Sequence, residues 1–257
     1  HPVVRENNWI TRNLVLAGNF NMTNVDELFE KLVNLGQYPI ETSDTVTILE
    51  KIGHWLDEEN ERLYKKYRDE GLNKRAITDK IIAHIDIPQI LKESAQYWDG
   101  GYVIGGMLGH GDAFVMRDEI GIRPAFYYAD DEIVVAASER PVIQTAFDLK
   151  ADQIKELDPG HALIIKKNGN ISLQQFKEAK TKRSCSFERI YFSRGTDRDI
   201  YTERKELGHL LSPAVLKAIN YDLDNTVFSY IPNTAAVAYY GLTEALEEYN
   251  NTIKRDK

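Results

Sequence analysis

The chain has 257 residues, of which 42% are hydrophobic and 28% charged, and its formal net charge is -8; this balance is typical of a folded globular protein and excludes a mainly disordered one. The acidic charge argues against nucleic acid as a partner, because phosphate binding needs a basic surface, and no apolar run approaches the roughly 20 residues that span a membrane. A single cysteine, Cys185, excludes an internal disulfide and indicates a reducing, cytoplasmic location.

The N-terminal part of the chain shows mainly helical patterns. A short apolar strand at 13–17 precedes the polar turn Gly18-Asn19-Phe20-Asn21. A helix is predicted to begin at the N-cap Asn24, with Glu27 at the spacing of a capping box, and to end at Gly36. Further helices are predicted from residue 43 through the charged stretch 57–75, and over 77–98 with an interruption near Pro88.

From residue 100 the pattern changes to strands. The predicted strands are residues 101–108, 113–117, 125–129, 132–138, 161–166 and 171–176. Asn168-Gly169 is a strong hairpin signal between the last two, and the glycines at 105 and 106 indicate close packing inside a strand. Helices grouped ahead of sequential hairpins predict an antiparallel sheet covered by helices, which is an α+β fold.

A polar, lysine-rich stretch at 177–184 is predicted to be a linker. Beyond it, the sequence predicts a helix at 200–219, a strand at 226–231, a turn at Pro232-Asn233-Thr234 and a helix through 246. A strand, a tight turn and a helix are typical of the beginning of an α/β domain. The remaining residues are too few to complete a parallel sheet.

Three local features suggest chemistry, and each also has a structural interpretation. An Asn19 side-chain amide beside a backbone N–H could hold an oxyanion, or Asn19 could simply tolerate a turn. Asp44 could bind an ammonium group, or it could stabilise a helix N-terminus. Asn233 and Thr234 could bind a phosphate at a helix start, or they could cap that helix. The histidines lack ligand spacing, so we expect no metal site.

Taken together, the motifs resemble a known family. Gly18-Asn19-Phe20-Asn21-Met22-Thr23-Asn24 resembles the "N-G-N-L-T-N" stretch of class II glutamine amidotransferases, which use an N-terminal nucleophile, and the Thr-Ser-Asp-Thr that contains Asp44 resembles their "S-D-[ST]" motif. Residues 99–102, 117–124, 137–139 and 159–160 resemble "D-G-A-Y", "R-D-P-x-G-x-R-P", "A-S-E" and "P-G-E". The series covers residues 1 to 176. Residues 185–194 are similar to the "C-x-F-E-x-[IV]-Y-F-[AS]-R" junction of amidophosphoribosyltransferases.

The resemblance implies an N-terminal-nucleophile α/β/β/α sandwich at 1–183, followed at 184–257 by the start of an α/β phosphoribosyltransferase domain. It implies a homo-oligomeric parent enzyme of purine biosynthesis that hydrolyses glutamine and transfers the ammonia to phosphoribosylpyrophosphate, bound with Mg, to give phosphoribosylamine. Asn19 and the Phe20 backbone N–H would hold the oxyanion, Asp44 the glutamine ammonium, and Asn233 and Thr234 the pyrophosphate. No cofactor is expected in this chain itself.

Two departures from the family shape our expectations. Phe20 stands where the motif has glycine, and Pro232-Asn233-Thr234-Ala235 replaces "P-D-S-G". The family pattern also places the nucleophilic cysteine and the glutamine-carboxylate segment upstream of His1, so we expect this chain to be an inactive internal fragment. Two alternatives stay open: another class II amidotransferase, which the junction disfavours, or a non-catalytic binding module that kept the fold.

Overall fold

The computed structural model describes residues 2–39 and 41–255. The strands are β1 (Val3–Arg5), β2 (Leu14–Met22), β3 (Gly100–Leu108), β4 (Ala113–Arg117), β5 (Phe126–Ala129), β6 (Val134–Ala137), β7 (Lys155–Glu156), β8 (His161–Ile165) and β9 (Ile171–Gln175). The helices are α1 (Val25–Asn34), α2 (Asp44–Asp69), α3 (Lys74–His84), α4 (Ile87–Ser94), α5 (Arg140–Phe147), α6 (Arg198–Ala218) and α7 (Ala236–Arg255). This is the α+β class that the sequence predicts.

Six strands form an antiparallel large sheet in the order β1-β2-β3-β4-β8-β9. Its longest pairing joins β2 to β3, from Leu14 opposite Leu108 to Met22 opposite Gly100. The predicted hairpin between β8 and β9 is confirmed, with Gly169 in the left-handed region at φ 87°. A small sheet contains β6-β5-β7.

Alternation along the strands gives the large sheet two apolar faces. One face packs against helices α1 to α4 through a core that includes Leu14, Leu16, Ile104, Met116 and Ile164. The opposite face packs against the small sheet, where valines and leucines of β3, β4 and β8 meet Ala125, Tyr127 and Leu157. The described residues of this part therefore form three layers: helices, large sheet and small sheet.

The turn predicted at Gly18-Asn19-Phe20-Asn21 is wrong. These residues continue β2, and they pair with Ile104 down to Gly101 on β3. Polar side chains suggested a turn because Asn and Gly are common there. The neighbouring strand β3 overrides that local preference, because it supplies ladder partners as far as Met22, and Met22 is buried in the core.

The predicted linker at 177–184, which we call the strap, is not a free linker. The backbone N–H groups of Lys180 and Arg183 donate to the carbonyls of Glu119 and Ile120, at 2.8 Å and 2.9 Å. Its lysines suggested solvent, but they have carboxylate partners within this part of the fold. The strap is therefore fixed against the loop that follows β4.

The chain divides into two compact units. The first contains His1–Ser138 and Lys155–Ser184, and the second contains Glu139–Ile154 and Cys185–Lys257. A buried ion pair explains why residues 139–154 join the second unit. The Arg140 guanidinium donates to both carboxylate oxygens of Asp197, at 2.9 Å and 2.6 Å, and Asp197 is the N-cap of α6. The order of the chain does not indicate this grouping.

The strand predicted at 226–231 is wrong. These residues belong to no sheet, and Val227 is 94% exposed and Ile231 85% exposed. The described residues of the second unit contain no strand, so the apolar stretch has no backbone partner. The predicted helices on either side are confirmed as α6 and α7, which pack through Leu216, Leu242 and Leu246.

Candidate functional site

The motif residues Asn19 and Phe20 lie in the second half of β2, near one end of the large sheet. They pair with Val103 and Tyr102 of β3. The same end contains the last residue of β4, Arg117, which pairs with Val103. The register of the sheet thus brings Asn19 and Phe20 close to two other motif segments, residues 99–102 and residues 117–118, at this end of the sheet.

The backbone N–H of Phe20 points away from β3. Asp118 N–H donates to the Tyr102 carbonyl at 2.9 Å, and Tyr102 N–H donates to the Asp118 carboxylate at 3.2 Å. Both backbone groups of Tyr102 therefore face β4, so Tyr102 and Phe20 form a non-hydrogen-bonded pair. The Phe20 N–H must then face the opposite side of β2, the side on which β1 pairs with Leu14, Val15 and Leu16.

Asn19 and Phe20 present different groups at this end of β2. Phe20 packs its ring against the helix-side core. Asn19 is exposed, and alternation places its side chain on the other face of the strand. A side-chain amide and the next backbone N–H are consequently adjacent, which is the donor pair that an oxyanion requires. The ring of Phe20 leaves its N–H in place, because the ring points into the core.

Asp44 is the first residue of α2, directly after the N-cap Ser43. Its carboxylate accepts from the N–H of Thr45 at 2.7 Å. Ion pairs fix the direction of the helix: Arg5 contacts Glu50 and Asp57, at 3.2 Å and 2.6 Å.

Farther along the helix, Arg12, which precedes β2, contacts Glu61 at 3.3 Å, so α2 runs antiparallel to β2. Its N-terminus therefore extends toward the end of β2 that carries Asn19. The helix and the Asn19 side chain lie on different faces of the sheet. A cleft shared by Asn19 and Asp44 would have to form around the strand end, and it stays a prediction.

A reciprocal set of hydrogen bonds closes this end of the sheet. Thr23 N–H donates to the Asp99 carbonyl at 2.9 Å, and the Thr23 hydroxyl donates to the Asp99 carboxylate. Asn24 occupies the predicted N-cap of α1 but makes no side-chain cap; its amide donates to the Tyr97 carbonyl at 2.9 Å. The predicted capping box is therefore absent. These hydrogen bonds were not predicted from the sequence. The only signal in the sequence was that residues 23–24 and 99–100 both belong to the motif series.

Buried charges stiffen the loop after β4. Asp118, which is 0% exposed, accepts four backbone N–H groups, at 2.9 to 3.2 Å. Arg117 donates to the backbone carbonyls of Gly121 and Arg123, at 3.0 Å and 2.7 Å. The loop in turn packs on β3, because a Cβ at Gly101 would lie 2.7 Å from the Ile122 side chain. Arg117 and Asp118 of this motif therefore hold the backbone of the loop in place.

Tyr102 lies at the centre of this region and is fully buried. Burial raises the pKa of Tyr102 well above its ordinary value, and the carboxylates of Glu119 and Asp118 raise it further. Its phenol therefore stays neutral at physiological pH, and it is excluded as a general base.

Asn233 and Thr234 form a turn immediately before α7, where the Ala236 N–H donates to the Asn233 carbonyl at 3.2 Å. The turn lies where the sequence predicts it, but no strand leads into it. Cys185 is half-buried at the first position of the C-terminal segment of the second unit.

None of the helices in residues 2–39 and 41–255 combines the length and the hydropathy that a membrane span requires. In the same described residues, no three His, Cys, Asp or Glu side chains are grouped to hold a metal ion.

Six curated relatives are named amidophosphoribosyltransferase. No protein-family model matches the chain. The amidophosphoribosyltransferase of Escherichia coli strain K12 is 28% identical over 234 residues, which cover 86% of this chain and 42% of the relative. That of Methanothermobacter thermautotrophicus is 24% identical over 204 residues, which cover 77% of this chain and 36% of the relative.

Solved structures share the fold. Glutamine phosphoribosylpyrophosphate amidotransferase from B. subtilis, complexed with ADP and GMP, gives a TM-score of 0.65 at 24% identity, covering 96% of this chain and 47% of that one. An allosteric regulatory enzyme of purine biosynthesis gives 0.66 at 24% identity, covering 96% and 46%. The chain spans less than half the length of these relatives. Over most of its length, the chain is thus similar in sequence and in fold to the amidophosphoribosyltransferases, as its motif series predicts.

Proposed function

We propose that the first unit is the glutaminase part of an amidophosphoribosyltransferase and that the β2 end of its large sheet holds glutamine. The direction of the Phe20 N–H carries this proposal: it faces away from β3, beside the side chain of Asn19. Strand ends are places where donors can converge on a ligand. The three layers of this unit agree with part of an α/β/β/α sandwich, whose fourth layer is also part of the proposal.

In the proposed reaction, a cysteine thiolate from outside this polypeptide attacks the carboxamide carbon of glutamine. The carbonyl oxygen becomes an oxyanion, which accepts hydrogen bonds from the Asn19 amide and the Phe20 N–H. The C–N bond then breaks and ammonia leaves, taking a proton from the base that deprotonated the thiol. Water hydrolyses the thioester to glutamate. Asp44 holds the α-ammonium group of the substrate throughout.

The second unit, from residue 184, would begin the phosphoribosyltransferase part of the parent. There ammonia would displace pyrophosphate from phosphoribosylpyrophosphate, and Mg bound with that substrate would neutralise its phosphates. Asn233 and Thr234 precede α7, and backbone N–H groups at a helix start favour phosphate. Residues 226–231 form no strand, so the strand that should lead into this turn does not support this part of the proposal.

The test is glutaminase kinetics on a longer polypeptide of the same gene that includes an upstream cysteine. Asn19→Ala should lower kcat by about 10²–10³ with little change in KM, because the amide acts on the transition state. Asp44→Asn should mainly raise KM. Asn21→Ala, on the same face of β2, is the matched control and should keep near-normal kcat.

An Asn19→Ala enzyme with unchanged kcat would refute the oxyanion assignment. The binding-module alternative gives a different result: the longer polypeptide would bind glutamine but release no ammonia, whichever residue occupies position 19.

A further inference from the structure

The strap (residues 177–184) is held by a carboxylate that is almost completely buried. The side chain of Glu119 is 6% exposed, and its Oε1 lies 2.9 Å from Lys177 Nζ and 3.3 Å from Lys180 Nζ. Lys177 Nζ also donates to the Trp98 carbonyl at 2.9 Å. Both lysines belong to the strap, whereas Glu119 and Trp98 belong to the body of the first unit.

The balance of charge around Glu119 depends on these lysines. Its Oε2 is buried with no hydrogen-bond partner among the described residues. A buried carboxylate needs a paired cation to stay ionised. Lys177 and Lys180, both of the strap, are cations that contact it.

Two backbone hydrogen bonds from the strap to residues 119 and 120 define its path. Hydrogen bonds of this kind contribute little each, whereas bonds between charged groups are stronger. Lys182 adds a contact to Glu156 at 2.6 Å, but that carboxylate is 36% exposed. Glu119 differs from it in being almost completely buried and in contacting two lysines of the strap.

Glu119 also departs from the motif that surrounds it. The "R-D-P-x-G-x-R-P" pattern has proline at this position. Proline keeps the backbone carbonyl that accepts from Lys180, but it has no carboxylate, so a chain that follows the pattern cannot form these ion pairs. The attachment is therefore a feature of this sequence and not of the motif.

We propose that Glu119 is an ion-pair latch for residues 177–184. Paired with Lys177 and Lys180, it keeps these residues as a fixed strap. When substitution removes these ion pairs, the same residues become a flexible segment. Eight flexible residues have a root-mean-square span of about 16 Å, so the latch decides whether this part of the chain is fixed or free to move over that distance.

Hydrogen exchange on the full 257-residue chain tests the latch. In Glu119→Gln, the amides of Lys180 and Arg183 should exchange at least about tenfold faster. Trypsin should also cleave within 177–183 faster by a similar factor, while the β3–β4 hairpin keeps its protection. Glu132→Gln, which changes an exposed residue in the turn between β5 and β6, is the matched control and should leave the strap unchanged.

A second variant keeps the test decisive if Glu119→Gln unfolds the first unit. Lys177→Gln combined with Lys180→Gln changes only the strap, and it should release the strap to the same extent. Adding Glu119→Gln to that pair should then cause little further release, because the partners are already lost. The proposal would be refuted if the amides of Lys180 and Arg183 exchanged at the normal rate in the folded Glu119→Gln chain or in the double lysine variant.

Discussion

Gly241 of α7 lies directly against the backbone of Lys205 on α6: a Cβ atom at Gly241 would be 1.9 Å from the Lys205 carbonyl oxygen. Gly208 has the same relationship to α7, with the Ala238 carbonyl oxygen at 1.8 Å from its Cβ position. The two helices therefore cross with their backbones in contact at two glycines, and the second unit depends on that close approach.

Gly241→Ala should force these helices apart. Alanine favours a helix over glycine by about 1 kcal/mol, but a methyl group at this distance from a carbonyl cannot be accommodated without separation. We expect a net loss of about 2 kcal/mol or more in the stability of the second unit. Faster amide exchange in α6 and α7 would report it. Lys217→Ala, at an exposed position of α6, should show no such change.

Asp118→Asn should be among the most damaging substitutions in the first unit. The asparagine side chain would turn an NH₂ group toward backbone N–H groups that now donate to the carboxylate, at a position that is fully buried. We expect a loss of about 3 kcal/mol or more in the free energy of unfolding, measured by urea denaturation with tryptophan fluorescence. Asp131→Asn, at an exposed turn, is the control. Equal stability of the two variants would contradict this account of the loop.

The Arg140–Asp197 pair predicts how the second unit responds to acid. Burial raises the pKa of Asp197, but hydrogen bonds from Arg140 and from the Ile200 N–H outweigh it, so the net pKa is lowered. A carboxylate with a lowered folded pKa stabilises the fold above its unfolded pKa, and this stabilisation is lost as the pH falls through the folded value. Protection of the first turn of α6 should therefore decrease below about pH 4.

Arg140→Gln should move that acid transition to higher pH, because Asp197 loses its main compensation. The comparison is hydrogen exchange of residues 198–204 across a pH series. Arg198→Gln, whose side chain is 67% exposed, serves as control. An unchanged transition in Arg140→Gln would assign the acid response to other groups.

The 257-residue chain should release no ammonia from glutamine. Its only thiol, Cys185, is internal and belongs to the second unit, so it has no α-amine as a base. The α-amine of the chain belongs to His1, which lies outside the described residues and has no thiol. The assay compares the chain with a longer polypeptide that includes an upstream cysteine. Comparable turnover by both, or turnover that disappears in Cys185→Ser, would contradict the prediction.

Much of the fold could be predicted because it depends on local patterns. The bounds of β4 match the sequence prediction residue for residue, and the Asn168-Gly169 hairpin lies where it was expected. Packing at Gly106 is also as expected, since a Cβ there would lie 2.3 Å from the Phe114 ring. Periodicity and turn chemistry are properties of short segments, and they survive folding when tertiary contacts agree with them.

The failures depend on partners far along the chain. Gly18 to Asn21 extend β2 because β3 is long enough to pair with them, whereas residues 226–231 lack neighbours and form no strand. The role of Glu119 could not be predicted from the sequence either, because it depends on lysines about sixty residues later in the chain. At the candidate site, the motifs indicated which residues matter, but only the sheet register gives the direction of the Phe20 N–H.

The interleaved composition of the two units limits how this protein can be divided. The chain leaves the first unit after Ser138, returns at Lys155 and leaves again after Ser184. A polypeptide that ends at residue 184 would keep Arg140 but lose Asp197, so a buried guanidinium would be left without its carboxylate. A polypeptide that starts at residue 185 would keep Asp197 without Arg140. No single cut yields either unit intact, and a workable dissection of the second unit must join residues 139–154 to the C-terminal segment through a linker that replaces residues 155–184.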